Sequence, residues 1–187
     1  MAKLVSKTYG QALFEIAVED EQAGGDKMTE LWHEMEQIKT IFKENPDFEK
    51  IFDHPGIPKT EKLRTLSEVF DGRISRELEG LFEILIKKDR YKEWPEVFEY
   101  YVQKVKEFKQ IGVVYVTTAV TPTDAQKTDI ETRMMDTTNY RSLEIHYKVD
   151  PSLIGGMVIR VNDTVVDSSI KNKLNDLTRQ LLQIQLG

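Results

Sequence analysis

Helical periodicity over the first 110 residues, then a switch to β-branched runs, predicts a mainly α protein built in two parts. The first is an N-terminal six-helix bundle. The second is a small α/β domain with a short mixed sheet and a C-terminal helix. Three observations carry this. Residues 1–110 show only helical patterns of apolar residues. At Ile111-Gly112 the pattern gives way to Val113-Val114-Tyr115-Val116-Thr117-Thr118-Ala119-Val120, which is strand-like. The last third then reads as a glycine pair, a hairpin and a capped helix. A chain of 187 residues accommodates two such units, and the composition shift places them at 1–110 and 111–187.

The first helix is expected from about Leu4 to Gln22, stopped by Gly24-Gly25. The second runs from about Asp26 to Lys43, with Met28, Leu31, Met35, Ile38 and Phe42 on one face and Trp32 beside that stripe. Asn45-Pro46 starts a short third helix, because Asn caps and Pro suits the first helical position. After the turn His54-Pro55-Gly56, Pro58 opens a fourth helix that Asp71-Gly72 breaks. A fifth spans about Ser75 to Lys87. Asp89 is the expected cap of a sixth, from Arg90 to Gln110, with Trp94, Val97, Phe98, Tyr101, Val105 and Phe108 inward. Six helices with short connections make a bundle.

In the second part, Thr121-Pro122-Thr123-Asp124 reads as a helix start, with Thr121 as cap and Pro122 at the first position, and the helix runs to about Thr137. Leu143, Ile145, Tyr147 and Val149 alternate with polar residues, a half-buried strand. Gly155-Gly156 suggests a bulge or a close backbone approach, and a phosphate cradle is the weaker alternative because no P-loop Lys-Ser/Thr follows. Val158, Ile159 and Val161 face Thr164, Val165 and Val166 across Asn162-Asp163, a two-residue turn. Asp167-Ser168-Ser169 caps the last helix. Its Ile170, Leu174, Leu177, Leu181 and Ile184 form one stripe. That stripe is expected to pack on the hairpin, although the same spacing suits a partner coiled coil.

Composition and motifs exclude more than they assign. With 26 basic and 32 acidic residues the net charge is −6, so the chain has no general electrostatic reason to bind nucleic acid or anionic lipid. Cysteine is absent, which rules out disulfides and thiol catalysis. No run of 18 apolar residues occurs, and Met1-Ala2-Lys3-Leu4-Val5-Ser6-Lys7 lacks the apolar core of a signal peptide, so membrane association is expected only through partners. His33, His54 and His146 have no metal-ligand spacing, and no HExxH, GxSxG, Walker or dinucleotide motif is present. No catalytic site, cofactor or metal is expected. Glu19-Asp20-Glu21 lies at a helix C-terminal end, where acids oppose the dipole.

Two helices carry more apolar surface than one core requires. An ordinary amphipathic arc is a little over ~100° wide, whereas Tyr9, Ala12, Leu13, Phe14, Ile16, Ala17 and Val18 sweep roughly 240° of the first helix. On the fifth, Leu78, Leu81, Phe82, Ile84, Leu85 and Ile86 cover about 200°. Either both helices are buried on two sides, or a flank of each forms a groove for a partner's amphipathic helix.

Three segments resemble one family in the right order. Tyr9-Gly10-Gln11-Ala12-Leu13-Phe14 is similar to a Tyr-Ala-x-Ala-Leu-Phe opening, with Gly10 in place of alanine. Leu81-Phe82-Glu83-Ile84-Leu85-Ile86-Lys87-Lys88-Asp89-Arg90-Tyr91 and the segment from Asp150 to Ile170 supply the others, with Asn162 where glycine is common. These resemble the δ subunit of F-type ATP synthases, the family of the oligomycin-sensitivity-conferring protein.

The resemblance implies a non-catalytic stator subunit of the rotary enzyme, one copy per complex. It would link the catalytic head to the peripheral stalk so that proton-driven rotation is coupled to ATP synthesis. It implies that the first and fifth helices hold the N-terminal helix of an α subunit, through Tyr9, Ala12, Leu13, Ile16, Leu78, Leu81, Ile84 and Leu85. It implies that the second domain holds the b subunits of the stalk, with Leu181, Leu182 and Ile184 as candidates. The place implied is the cytoplasmic face of a bacterial cell membrane, peripheral within the complex. A free-standing helical adaptor would explain the wide arcs but not the C-terminal segment. A small hydrolase at Gly155-Gly156 would need a nucleophile–base pair that the sequence does not offer.

Overall fold

The computed structural model describes residues 2–70, 72–162 and 164–185, without the side chains of residues 2, 3, 49, 53 and 181–185. The chain divides into two compact units, Met1–Val105 and Lys106–Gly187, and the division falls in the last turn of the sixth helix. The order of elements is α1 (Ala2–Gln22), α2 (Lys27–Glu44), α3 (Pro46–Asp53), α4 (Lys59–Phe70), α5 (Arg76–Lys87), α6 (Trp94–Phe108), β1 (Ile111–Thr118), α7 (Asp124–Thr137), β2 (Ser142–Val149), β3 (Met157–Val161), β4 (Thr164–Asp167) and α8 (Ile170–Gln185).

In the first unit the helix ends obey local chemistry. Gly24, at φ 88°, stops α1. Asp20, near that end, accepts a hydrogen bond from the Lys27 backbone N–H at 3.0 Å. An acid that looks misplaced on its own helix therefore satisfies a free donor at the start of the next one. Asp89 does not cap the sixth helix as expected. It takes a left-handed φ of 56° and ends α5: its N–H bonds Ile86 O at 3.1 Å, and Arg90 N–H bonds Leu85 O at 2.8 Å. A 3-10 turn, Tyr91–Glu93, follows and drops Tyr91 into the core, so α6 starts only at Trp94.

The bundle core is aromatic. Phe42 of α2 lies 5.4 Å from Phe48 of α3, 6.4 Å from Phe70 of α4, 6.3 Å from Phe82 of α5 and 4.9 Å from Trp94 of α6, between ring centroids. Such tilted and offset pairs add to the area they bury. Gly10 explains itself here. A Cβ at that position would lie 2.6 Å from Tyr100 Cδ1 and 3.1 Å from the Val97 carbonyl oxygen of α6. What the helix loses in propensity permits close helix contact.

The second unit is a four-stranded sheet of order β2-β1-β3-β4, parallel between β1 and β2 and antiparallel elsewhere. Val114 stands opposite Ile145 and Val161, and Val116 opposite Tyr147 and Ile159. These pairs make one apolar face, on which Ile130 and Met134 of α7 pack. Helix α7 starts two residues later than the sequence suggests. Thr123, not Thr121, is the cap, in a capping box with Gln126 whose two bonds span 3.3 and 2.9 Å. Pro122 precedes the helix.

The glycine pair is a close backbone approach. Gly156 has φ 75°, and a Cβ there would lie 2.4 Å from the Ser168 carbonyl oxygen. Around it Ser168 N–H bonds Met157 O at 2.9 Å and Ile170 N–H bonds Gly155 O at 3.0 Å. Ser169 Oγ accepts from Asn172 N–H at 3.1 Å and caps α8. This clamp starts α8 beside the 3-10 turn Pro151–Leu153, against which it packs. The expectation that its stripe covers the hairpin is corrected by the structure: Ile170, Leu174 and Leu177 are 43%, 49% and 55% exposed.

Two stability predictions follow from these contacts. Phe42→Ala removes the hub of the aromatic core and lowers the unfolding free energy by about 3–5 kcal/mol, read from urea denaturation followed by helical circular dichroism. Gly156→Ala meets a backbone oxygen at a positive φ and destabilises by about 1–3 kcal/mol, seen as faster amide exchange in residues 157–170 with the bundle's exchange unchanged.

Candidate functional site

Each unit presents apolar surface that its own core does not use. In the first unit, Leu13, Leu78, Leu81 and Leu85 are at most 4% exposed and belong to the core cluster. Their assignment to a groove is therefore corrected: these four of the eight groove candidates are core. Tyr9 is half-buried and packs against the core, while Ala12, Ile16 and Ile84 are exposed. Leu4, which the sequence reading passed over, is exposed too. Leu4, Thr8, Ala12 and Ile16 recur every four residues, so they form one outer stripe of α1. On α5, Gly80 and Ile84 share the outward side, with no Cβ neighbour within 4 Å of Gly80.

Lys27 ties the ends of these helices. Its backbone N–H bonds Asp20 of α1, and its ammonium pairs with Glu77 in the first turn of α5. The hydrogen bond from Lys27 holds the Glu77 carboxyl below its ordinary value, and Glu77, followed by Asp20 and Glu30, raises Lys27. A second cleft of 350 Å³ lies between α2 and the end of α4, lined by Glu34, Ile38, Ile41, Phe70 and Arg73 among others.

In the second unit the sheet face opposite α7 is polar and aromatic. Tyr115 stacks on His146 at 5.0 Å, Arg160 lies 5.8 Å from the Tyr115 ring, and His146 Nε2 is 2.9 Å from Glu144. Glu144 also pairs with Lys106 at 2.6 Å. On the α7 side, a 600 Å³ groove runs between Met134 and Tyr140 and the strand residues Ile159, Val161 and Val166. The exposed stripe of α8 completes the inventory. Leu181, Leu182 and Ile184 have side chains outside the described residues.

The arrangement favours binding over chemistry. At the glycine pair, the nearest group is a carbonyl oxygen, an acceptor, which does not cradle an anion. Ser169 there is engaged as a helix cap. His33 and His54 are exposed, on a helix and in a turn. Among the described residues, no group of three or more His, Cys, Asp or Glu side chains is placed to hold a metal ion. Among them, too, no helix is long and apolar enough to cross a membrane.

The Lys27–Glu77 pair has a pH signature. Because the folded carboxyl is held low, its stabilisation is complete above the ordinary value of 4.5 and is lost as pH falls through the lowered value. Urea midpoints of the wild type and Lys27→Met therefore differ near neutrality, by under about 1 kcal/mol for a partly exposed pair, and converge as pH drops toward about 3.

Known proteins provide the remaining observation. The family model for the ATP synthase delta (OSCP) subunit matches residues 5–181. The chain is 45% identical over 187 residues to the ATP synthase subunit delta of Lachnoclostridium phytofermentans, covering 100% of both. It is 32% identical over 177 residues to that of Moorella thermoacetica, covering 95% of this chain and 96% of the relative. Among solved structures it resembles a chain of the cryo-EM structure of the Toxoplasma gondii mitochondrial ATP synthase hexamer. That likeness has a TM-score of 0.64 at 18% identity over 95% of this chain and 97% of the other, and it concerns the fold.

Proposed function

The chain belongs to the ATP synthase delta (OSCP) subunit family, whose members are stator components of the F-type enzyme, and on that premise we propose that it ties the catalytic head to the peripheral stalk. In this reading the first unit holds the N-terminal helix of an α subunit and the second holds the b subunits. One copy serves each complex, at the cytoplasmic face of the membrane, and the chain has no active site of its own.

One observation carries the proposal: Ile16 and Ile84 stay exposed on helices whose Leu13, Leu78, Leu81 and Leu85 are buried in the core. A flank of that kind suits an amphipathic helix laid across α1 and α5. Tyr9 and Ala12 border Ile16, and Leu4 extends the stripe by three turns. Leu13, Leu78, Leu81 and Leu85 lie in the core of the same unit.

The task is mechanical. The head must not turn with the rotor, so the link needs slow dissociation under torque more than chemistry. Several large anchors in a helix interface reach nanomolar affinity, about −12 kcal/mol.

The test is calorimetric titration of the full chain with a synthetic N-terminal helix of the cognate α subunit. One-to-one saturation is expected, weakened about 30-fold by Ile16→Asp or Ile84→Asp, with unchanged circular dichroism. Absence of binding at micromolar concentration by the folded wild type would refute the groove.

A further inference from the structure

At the carboxyl ends of the parallel strands β1 and β2 the second unit holds a cavity of 390 Å³. Its walls come from the end of β1 and the loop after it, from the first half of α7, and from the residues that follow the 3-10 turn Pro151–Leu153. Open α/β sheets take ligands at this end of their strands, and the volume lies in the roughly 300–1,000 Å³ range of small-molecule sites.

Two features of the walls are unfavourable for the unit alone. Thr118 is only 7% exposed, and its hydroxyl has no hydrogen-bond partner among the described residues. It continues the side of β1 that carries Val114 and Val116, where a valine would meet the needs of packing without an unpaired hydroxyl. Ile154 takes φ 67° and ψ −39°, a conformation that strains a β-branched residue. Its side chain stays 64% exposed, so burial does not offset the strain. Val120, which also lines the cavity, is 74% exposed.

The lining says what would fit. Among the described residues no Lys, Arg or His lines the cavity, and Asp129 puts a carboxylate beside it, so phosphates and carboxylates are disfavoured. Asp129 is itself paired with Arg133 at 3.2 Å, and Gln126 is held in the capping box with Thr123, so neither calls for a cation. What remains is an apolar lining around one hydroxyl that can both donate and accept.

We propose that this cavity binds a small uncharged molecule with an apolar body and one hydroxyl group, whose oxygen pairs with Thr118 Oγ1. The apolar body covers Val120 and Ile154 and rests on Ile130 and Met157. The cavity is lined by none of the helices α1, α5 and α8, so the inference stands apart from the head-to-stalk reading.

The probes are 4-fluorophenol and fluorobenzene, the same ring without the hydroxyl, followed by fluorine NMR on the full-length chain. 4-Fluorophenol is expected to saturate at millimolar concentration or below, with amide shifts at Thr118, Ile130 and Met157. Thr118→Val keeps the outline of the side chain and removes the hydroxyl. It is expected to weaken 4-fluorophenol about tenfold and to leave fluorobenzene unchanged. Ile154→Gly adopts the same backbone angles without strain and removes one wall, so it is expected to weaken both probes. If Thr118→Val binds both probes as the wild type does, the hydroxyl selects nothing and the proposal is overturned. It is overturned equally if 4-fluorophenol does not bind the folded wild type at millimolar concentration, or if its amide shifts fall on another face of the unit.

Discussion

The bundle depends on the aromatic contact around Phe42. This one ring touches residues from α3, α4, α5 and α6, and Tyr91 as well, with centroids at 4.9–6.4 Å. Phe82 repeats the pattern one layer on, against Phe70, Tyr91, Trp94 and Phe98. Rings of this size leave few ways to pack, so the rotation of each helix about its axis is set by where its aromatic residue must point. On α5, burying Phe82 together with Leu78, Leu81 and Leu85 turns Ile84 out to solvent. The candidate docking residue is exposed because its neighbours are held inside.

Helix α1 is placed by further contacts of its own. Leu13 and Ala17 enter the core, and Gly10 lets the helix approach Tyr100 and Val97 more closely than any side chain would allow. At its C-terminal end, Asp20 and Lys27 join it to the starts of α2 and α5. An acid near the wrong end of a dipole is tolerated because it serves the right end of another helix.

The second unit turns on a different constraint, the contact of Gly156 with the Ser168 carbonyl. That contact fixes where β4 ends and α8 begins, and it explains why no Cβ is tolerated there. With α8 anchored at Gly155 and the 3-10 turn, its apolar stripe is left open instead of folding over the hairpin. The glycine pair, which in a string of letters admits a phosphate loop as its weaker reading, is in space a close backbone contact at the start of the last helix.

Much of this was legible in the residues themselves. Periodicity and β-branched runs located the main helices and strands, because burial on one face forces a period near 3.6 or 2, although the first strand lies two residues earlier than its β-branched run, at Ile111–Thr118, and the two 3-10 turns went unread. Gly24, Asn162 and Ser169 announced their turns and caps, because those depend on local backbone angles and on donors a few residues away. The three-segment resemblance identified the family. Errors arose where a local rule had a nearby competitor: Thr123 took the cap from Thr121, and Asp89 ended one helix instead of starting another. What the sequence could not decide was which apolar residues are core. Leu13, Ile16, Leu81 and Ile84 are alike as letters. Only the tertiary packing separated them, since burial is a property of the face that neighbouring helices happen to cover. For the same reason only the fold revealed that the α8 stripe is open.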